Sequence, residues 1–398
     1  MEQLAIHGGK PVRDKKIFYG RQWINEDDIA AVADALRSDL ITTGPRAVKV
    51  EKELCEYTGA SYATMCANGT AALHLAAMAA GVGPGDEVIT TALTFAASAN
   101  CALYCGARPV FADIDPETYN IDPEMIEKCI TPRTKAVVAV DFAGCSIDHR
   151  AIRDICDRHG LVFIEDAAHA IGTKDGGKGV GSIADMTCFS FHPVKTVTSG
   201  EGGAVLTNDS RYHHLLQTLR THGIEHDDEY LVDGPHEGPW YYEQQYLGYN
   251  YRITDFQCAL LSSQLRRIDQ FIARRKEIVE KYNEVFGSMP QFKLQKELPG
   301  TDSVHHLYIL QLDPEHISCS RAEFFAAMSA ENVQCQIHYV PVYWFPYYRG
   351  LGYEKGLCPE CEKVYSNIIS IPLYPLLTDS DVDDVIHAVT KIAEYYRR

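Results

Sequence analysis

Short apolar, β-branched runs recur along the first half of the chain, at Val88–Thr91, Pro109–Ala112, Ala136–Asp141, Leu161–Glu165, Met186–Phe191 and Ala204–Thr207. Between most of them lie stretches of helical pattern: Thr70–Ala80, Phe95–Cys105, Pro123–Cys129 and Asp148–His159. Strands alternating with helices predict an α/β fold built on a mainly parallel sheet covered on both faces. The last run follows its predecessor through a loop instead of a helix, which predicts an antiparallel strand. Asn68 is placed to cap the helix that opens at Gly69-Thr70, and Gly81 and Gly160 stand where helix-ending glycines belong. From Asp255 the pattern turns helical, and FQCALLSSQLRRIDQFIARRKEIVEKYNEVF reads as a long helix or a bent pair. It leads into a smaller domain with strands near His306–Leu312 and Gln334–His338 and a closing helix at Ser380–Tyr396. The division expected is an N-terminal arm over 1–20, a large domain over 21–274 and a small C-terminal domain over 275–398.

The 398 residues suffice for such a core, and the balance of 46% hydrophobic to 23% charged residues is that of an ordinary globular chain. A formal charge of −17 argues against general affinity for nucleic acid or anionic membrane, though not against a local phosphate pocket. No apolar run is long enough to span a bilayer and the start lacks a signal peptide, so a soluble, cytoplasmic protein is expected. Thirteen cysteines, an odd number, fit reduced thiols there. Cys358-Pro-Glu-Cys361 has no second pair at zinc-site spacing, the pairs His213-His214 and His305-His306 point to different faces, and no metal is expected.

One lysine stands out. In FSFHPVKTVTSGEGGAVLTN, Lys195 lies between two apolar runs and precedes a glycine-rich turn. An amine held away from water has a lowered pKa and becomes a nucleophile toward carbonyl carbon. Ligands in open α/β sheets sit beyond the carboxyl ends of the strands. Asp166 and His169 follow one predicted strand, Thr94 and Phe95 follow another, and Gly69-Thr70 opens a helix after the short run Tyr62–Cys66. Asp166 suits a protonated heteroaromatic nitrogen, Phe95 a ring face, and Gly69, Thr70 and Ser190 a phosphate. Together they describe pyridoxal phosphate (PLP) better than any other common cofactor. Each has a plainer reading: Asp166 as a helix cap, Phe95 as core. A nucleotide loop at 199–203 is the rival, but neither GxxxxGK[ST] nor a suitably placed GxGxxG is present.

EDAAHA, FSFHPVKTVTSGEGGAVLTND, LGYNYRITDFQCALLSSQL and QIHYVPVY, in this order and spacing, resemble the DegT/StrS family of PLP-dependent sugar-nucleotide aminotransferases. The resemblance runs from TTGP near Thr42 to IPLYP near Pro372. It implies PLP fold type I, with a large mainly parallel seven-stranded sheet domain and a smaller C-terminal α+β domain. It also implies that Lys195 bonds the cofactor and shuttles the proton, that Asp166 meets the ring nitrogen with His169 beside it, and that Phe95 stacks. Gly69, Thr70 and Ser190 are implied phosphate contacts. Asn250 is implied to reach the cofactor of a partner subunit, which makes a homodimer with shared sites. Tyr19, Asp39, Leu40, Ile41, Thr42, His338 and Tyr343 are the implied sugar-nucleotide contacts. FSFH, the Asp-Phe-Ala-Gly run at 141–144 and Gln-Ile-His-Tyr look closest to the branch that moves nitrogen from glutamate to C4 of a UDP-linked 4-keto-6-deoxy-N-acetylhexosamine, in pseudaminic acid biosynthesis. A UDP-4-keto-pentose or a dTDP-4-keto-6-deoxyhexose is the alternative substrate, and a non-catalytic regulator the remote one. The dehydrating branch of the family carries histidine in place of the lysine, and Lys195 speaks against it. The role of His192, and whether Tyr343–Tyr348 is packing or pocket wall, stay open at this point.

Overall fold

The computed structural model describes residues 2–233 and 238–398. Its centre is a seven-stranded sheet of β1 (Tyr62–Cys66), β2 (Glu87–Thr91), β3 (Arg108–Ala112), β4 (Thr134–Val140), β5 (Val162–Asp166), β6 (Met186–Ser190) and β7 (Gly203–Thr207), in the order β1-β7-β6-β5-β4-β2-β3. Only β7 runs against the others, pairing antiparallel with both β1 and β6, as the missing helix between the last two runs predicts. Six strand ends therefore share one edge, and Cys66, Thr91, Asp166 and Ser190 all stop there.

The sheet strands are buried because helices cover both faces. Their sequences are accordingly near-continuous apolar runs and not alternating ones. One face holds α3 (Gly69–Ala79), α4 (Ala97–Tyr104) and α7 (Ser210–Arg220), whose Ala72, Ala76, Cys101 and Leu216 pack on Val88, Val138 and Ile164. The other carries α5 (Pro123–Cys129) and α6 (His149–His159), with Ile126, Ile152 and Ile155 against Ile89, Val137 and Phe163. The Asn68 side chain accepts from the Ala71 amide and starts α3; Gly160 closes α6 in a left-handed conformation.

The helical stretch after Asp255 is a bent pair, α8 (Asp255–Leu265) and α9 (Ile268–Phe286). Beyond it a three-stranded sheet, β8 (Phe292–Leu294), β9 (Tyr308–Leu312) and β10 (Ile368–Ile371), packs against α9, α10 (Arg321–Ala330) and the closing α13 (Asp379–Tyr395). The strand expected at Gln334–His338 does not form. That segment is irregular, with Gln336 bridging Ser370 alone and neighbouring Val333 bridging Ile17. The arm is no loose tail, since Leu4 and Ile17 are buried in the same core. Among the described residues no helix is long and apolar enough to cross a membrane.

Candidate active site

A cavity of about 460 Å³ opens at the edge where the parallel strands end. Its floor and walls include Gly69 and Thr70 from α3, Thr94 and Phe95 ahead of α4, Asp166 and His169 after β5, and Ser190 and Lys195 after β6. Tyr19 from the arm and His306, His338 and Tyr339 from the C-terminal part close it. The sequence thus points to groups that the topology brings to one place.

Lys195 is half-buried, with its amine in the cavity. Desolvation lowers its pKa to about 8, and the charge of Asp166 offsets only part of that. Asp166 is buried, and burial raises its carboxyl above the usual range. Three things pull the other way: the Ser98 hydroxyl, which donates to Oδ2 at 2.6 Å, the Ala168 amide, which donates to Oδ1 at 3.2 Å, and the Lys195 charge. Thr94 Oγ1 lies 2.7 Å from the Ser98 hydroxyl and completes a short chain to the carboxylate.

His169 stays neutral, because burial and then the nearby Lys195 hold its pKa well below the ordinary value. Its Nδ1 accepts from the Ala143 amide at 3.3 Å, which assigns the proton to Nε2, 3.2 Å from the Tyr339 hydroxyl. The His306 ring lies beside it, tilted by 36°, with centroids 4.4 Å apart. His338 is also neutral, its pKa lowered to about 3 by burial and Lys195, with Nδ1 2.8 Å from Ser370 Oγ. Phe95 is 61% exposed and its ring stands edge-on to Tyr339 at 6.2 Å, so one face remains open to the cavity.

The close approach of α3 to the end of β6 depends on Gly69. A Cβ there would stand 2.8 Å from the Ser190 Cβ, so only glycine lets the start of α3 lie against the end of β6. Gly69 and Thr70 supply the first amides of α3, which have no helical carbonyl to donate to. Those amides, the helix's positive end and the hydroxyls of Thr70 and Ser190 meet around one cup. An anion-binding cup, a desolvated amine, a buried carboxylate and an open ring face fit PLP. The cup is of the kind a phosphate requires, Asp166 suits a protonated ring nitrogen, Phe95 a ring face and Lys195 a carbonyl carbon.

Other expected contacts lie elsewhere. Tyr343 does not line the cavity. It is fully buried against Phe111, and its hydroxyl donates to Glu362 at 2.6 Å. Tyr339, four residues earlier, lines it instead. Asp39, Leu40, Ile41, Thr42 and Asn250 are all exposed and outside the cavity of this chain. Thr42 bridges Thr254 and the Asp255 carboxylate takes the Gly44 and Arg46 amides at 2.8 and 3.0 Å, while Asn250 bridges Thr221. His192 is exposed at the cavity rim. Cys358 and Cys361 are buried free thiols. Sequence reasoning passed over Ser98, Tyr339 and His306. Ser98 carried a signal, since it is a hydroxyl four residues after Thr94 at the start of the helix that follows a strand end; Tyr339 and His306 carried none beyond adjacency to His338 and His305.

The model of the DegT/DnrJ/EryC1/StrS aminotransferase family matches residues 22–390. The chain is 41% identical over 382 residues to the spore coat polysaccharide biosynthesis protein SpsC of Bacillus subtilis, covering 94% of this chain and 97% of SpsC. Helicobacter pylori PseC, an aminotransferase involved in the biosynthesis of pseudaminic acid, superimposes with a TM-score of 0.88 at 32% identity, over 96% of this chain and 100% of PseC. Streptococcus pneumoniae Spr1654 in its PLP form gives a TM-score of 0.88 at 29% identity, over 96% of this chain and 99% of that one. The chain belongs to the DegT/DnrJ/EryC1/StrS aminotransferase family and is a PLP-dependent sugar aminotransferase.

Proposed function

We propose that the protein moves the amino group of glutamate to C4 of a UDP-linked 4-keto-6-deoxy-N-acetylhexosamine, the amination step of pseudaminic acid biosynthesis. The observation that carries this reading is the juxtaposition, in one cavity, of a desolvated Lys195 with buried Asp166 and the Gly69 cup. The full-length likeness to PseC supports the choice of sugar.

PLP supplies the electron sink for the electron pair left when the carbon–hydrogen bond breaks. Lys195 Nζ is the proton carrier. A pKa of about 8 leaves roughly a tenth of the amine neutral at pH 7, ready to accept the α-proton of glutamate, while the ammonium can return it. Asp166, ionised, would hold the ring-nitrogen proton in place. Ser98 fixes one of its oxygens, and Thr94 fixes Ser98. Neutral His169, with its proton on Nε2, offers a donor to an oxygen without adding a charge that would acidify Lys195 further. Tyr19 and His338, rings 5.6 Å apart, wall the side where a sugar enters. When the keto sugar follows glutamate, the same groups run the proton transfer in reverse.

The proposal includes a homodimer in which Asp39–Thr42 and Asn250 face the partner's cavity, since these residues are exposed and lie outside the cavity of their own chain. A cytoplasmic location fits thirteen free thiols. The test is turnover with glutamate across 4-keto sugar nucleotides. Nitrogen uptake by the UDP-linked 6-deoxy-N-acetyl sugar supports the reading, and uptake only by a dTDP-linked hexose or a UDP-linked pentose replaces its substrate.

A further inference from the structure

On the far side of the sheet from the cavity, Asp141, His149 and Glu165 form a fully buried cluster whose ligand-type atoms all lie within 4.8 Å of one another. Asp141 follows β4, Glu165 is the penultimate residue of β5, and His149 opens α6. Glu165 immediately precedes Asp166, so the two carboxylates point to opposite faces of the sheet. The Asp141 amide donates to the Asp166 carbonyl at 3.2 Å, which ties the cluster to the backbone beneath the active site.

Each side chain has its other atom engaged by a separate partner. His149 Nδ1 is 3.0 Å from Asp175 Oδ2 and 3.2 Å from Ser146 Oγ, leaving Nε2 inward against Glu165 Oε1. Glu165 Oε2 accepts from the Thr187 hydroxyl at 2.7 Å, leaving Oε1. Asp141 Oδ1 accepts from the Ile147 amide at 3.0 Å, and its Oδ2 is buried with no donor on it among the described residues, the carboxyl facing that of Glu165. One imidazole nitrogen and two carboxylate oxygens thus converge, each oriented from behind, and the carboxylate behind the histidine is the arrangement that orients metal-bound imidazoles.

We infer that Asp141, His149 and Glu165 are the three protein ligands of a buried site for a divalent cation of the zinc and cobalt class. Two carboxylates and a neutral imidazole carry two negative charges, which such a cation balances, and a nitrogen–oxygen donor set of this kind suits it. Without a cation, protons hold the cluster together. Burial, joined by the Glu165 charge, holds the Asp141 carboxyl well above its usual range; burial pulls His149 down, but the charge and hydrogen bond of Glu165 with the charges of Asp141 and Asp175 together outweigh it and raise His149 to about 9. The cation would clamp β4, β5 and α6 together directly behind Asp166 and would touch neither substrate nor PLP.

The test uses full-length, PLP-loaded protein treated with chelator and then dialysed against Co²⁺, read by visible absorption, bound cobalt per chain and the unfolding midpoint. The wild type is expected to take up one cobalt and to unfold at higher temperature with it. His149→Gln and Asp141→Asn are expected to lose both effects. Asp141→Asn keeps the oxygen that accepts from Ile147 and drops the buried charge, so it stays informative if the histidine variant fails to fold. No uptake by the wild type, or equal uptake and equal stabilisation in Asp141→Asn, overturns the assignment.

Discussion

The Ser98 hydroxyl donates to Asp166 Oδ2 at 2.6 Å inside a site that burial would otherwise push toward a neutral carboxyl. Of the influences that hold Asp166 ionised, Ser98 is the strongest, ahead of the Ala168 amide and the Lys195 charge. A hydrogen bond to a charged group contributes roughly 1.5–3 kcal/mol. Ser98→Ala should therefore cut kcat about 10- to 100-fold. The sign of the pH effect follows. Asp166 works ionised, its pKa is already raised, and losing Ser98 raises it further, so the acid limb of the kcat profile moves to higher pH. Activity falls more at pH 6 than at pH 8.5, and Ser98→Thr restores it.

Lys195→Ala should lower turnover by a factor on the order of 10² to 10⁴, because it removes the amine that carries the proton. Lys195→Arg should not rescue, since guanidinium stays charged. In cofactor-free wild-type protein, the rate of PLP capture should rise with pH and level off above about 8, where the amine is neutral. Stopped-flow absorbance measures this; a rise continuing toward the ordinary lysine pKa would mean the amine is not desolvated.

Gly69→Ala places a methyl group 2.8 Å from the Ser190 Cβ and parts α3 from β6. PLP affinity should fall roughly tenfold, the equivalent of ~1.4 kcal/mol, with little change in the overall fold. Titration of cofactor-free protein with PLP reads this directly.

Tyr343→Phe separates packing from recognition. It removes the hydroxyl that donates to Glu362, so the unfolding free energy should drop by about 1 kcal/mol while KM for the sugar nucleotide stays unchanged. Tyr339→Phe, which removes the group facing His169, should alter kcat or KM and leave stability nearly intact. The reverse pattern would put Tyr343 back at the substrate.

The sheet was legible from the sequence because its strands are buried on both faces and read as compact apolar runs separated by helical spacing. The antiparallel β7 was legible from a missing helix. Gln334–His338 was not, because its apparent alternation reflects isolated contacts to Ile17 and Ser370 instead of a ladder. Lys195, Asp166 and Gly69 were conspicuous because each violates a local expectation: a lysine among apolar runs, a carboxylate at a strand end, a glycine opening a helix. Ser98 violates none, and Tyr339 and Tyr343 differ only in which way an irregular backbone turns them. Asp141, His149 and Glu165 were invisible as a group, since only the pairing of β4 with β5 and the start of α6 bring them together.

Covalent capture of PLP by Lys195 is the central step of this chemistry. Reduction of the PLP-loaded protein with borohydride, followed by peptide mapping, should find the pyridoxyl group on the peptide containing Lys195. A pyridoxyl group on a different lysine, or none on any, would contradict it.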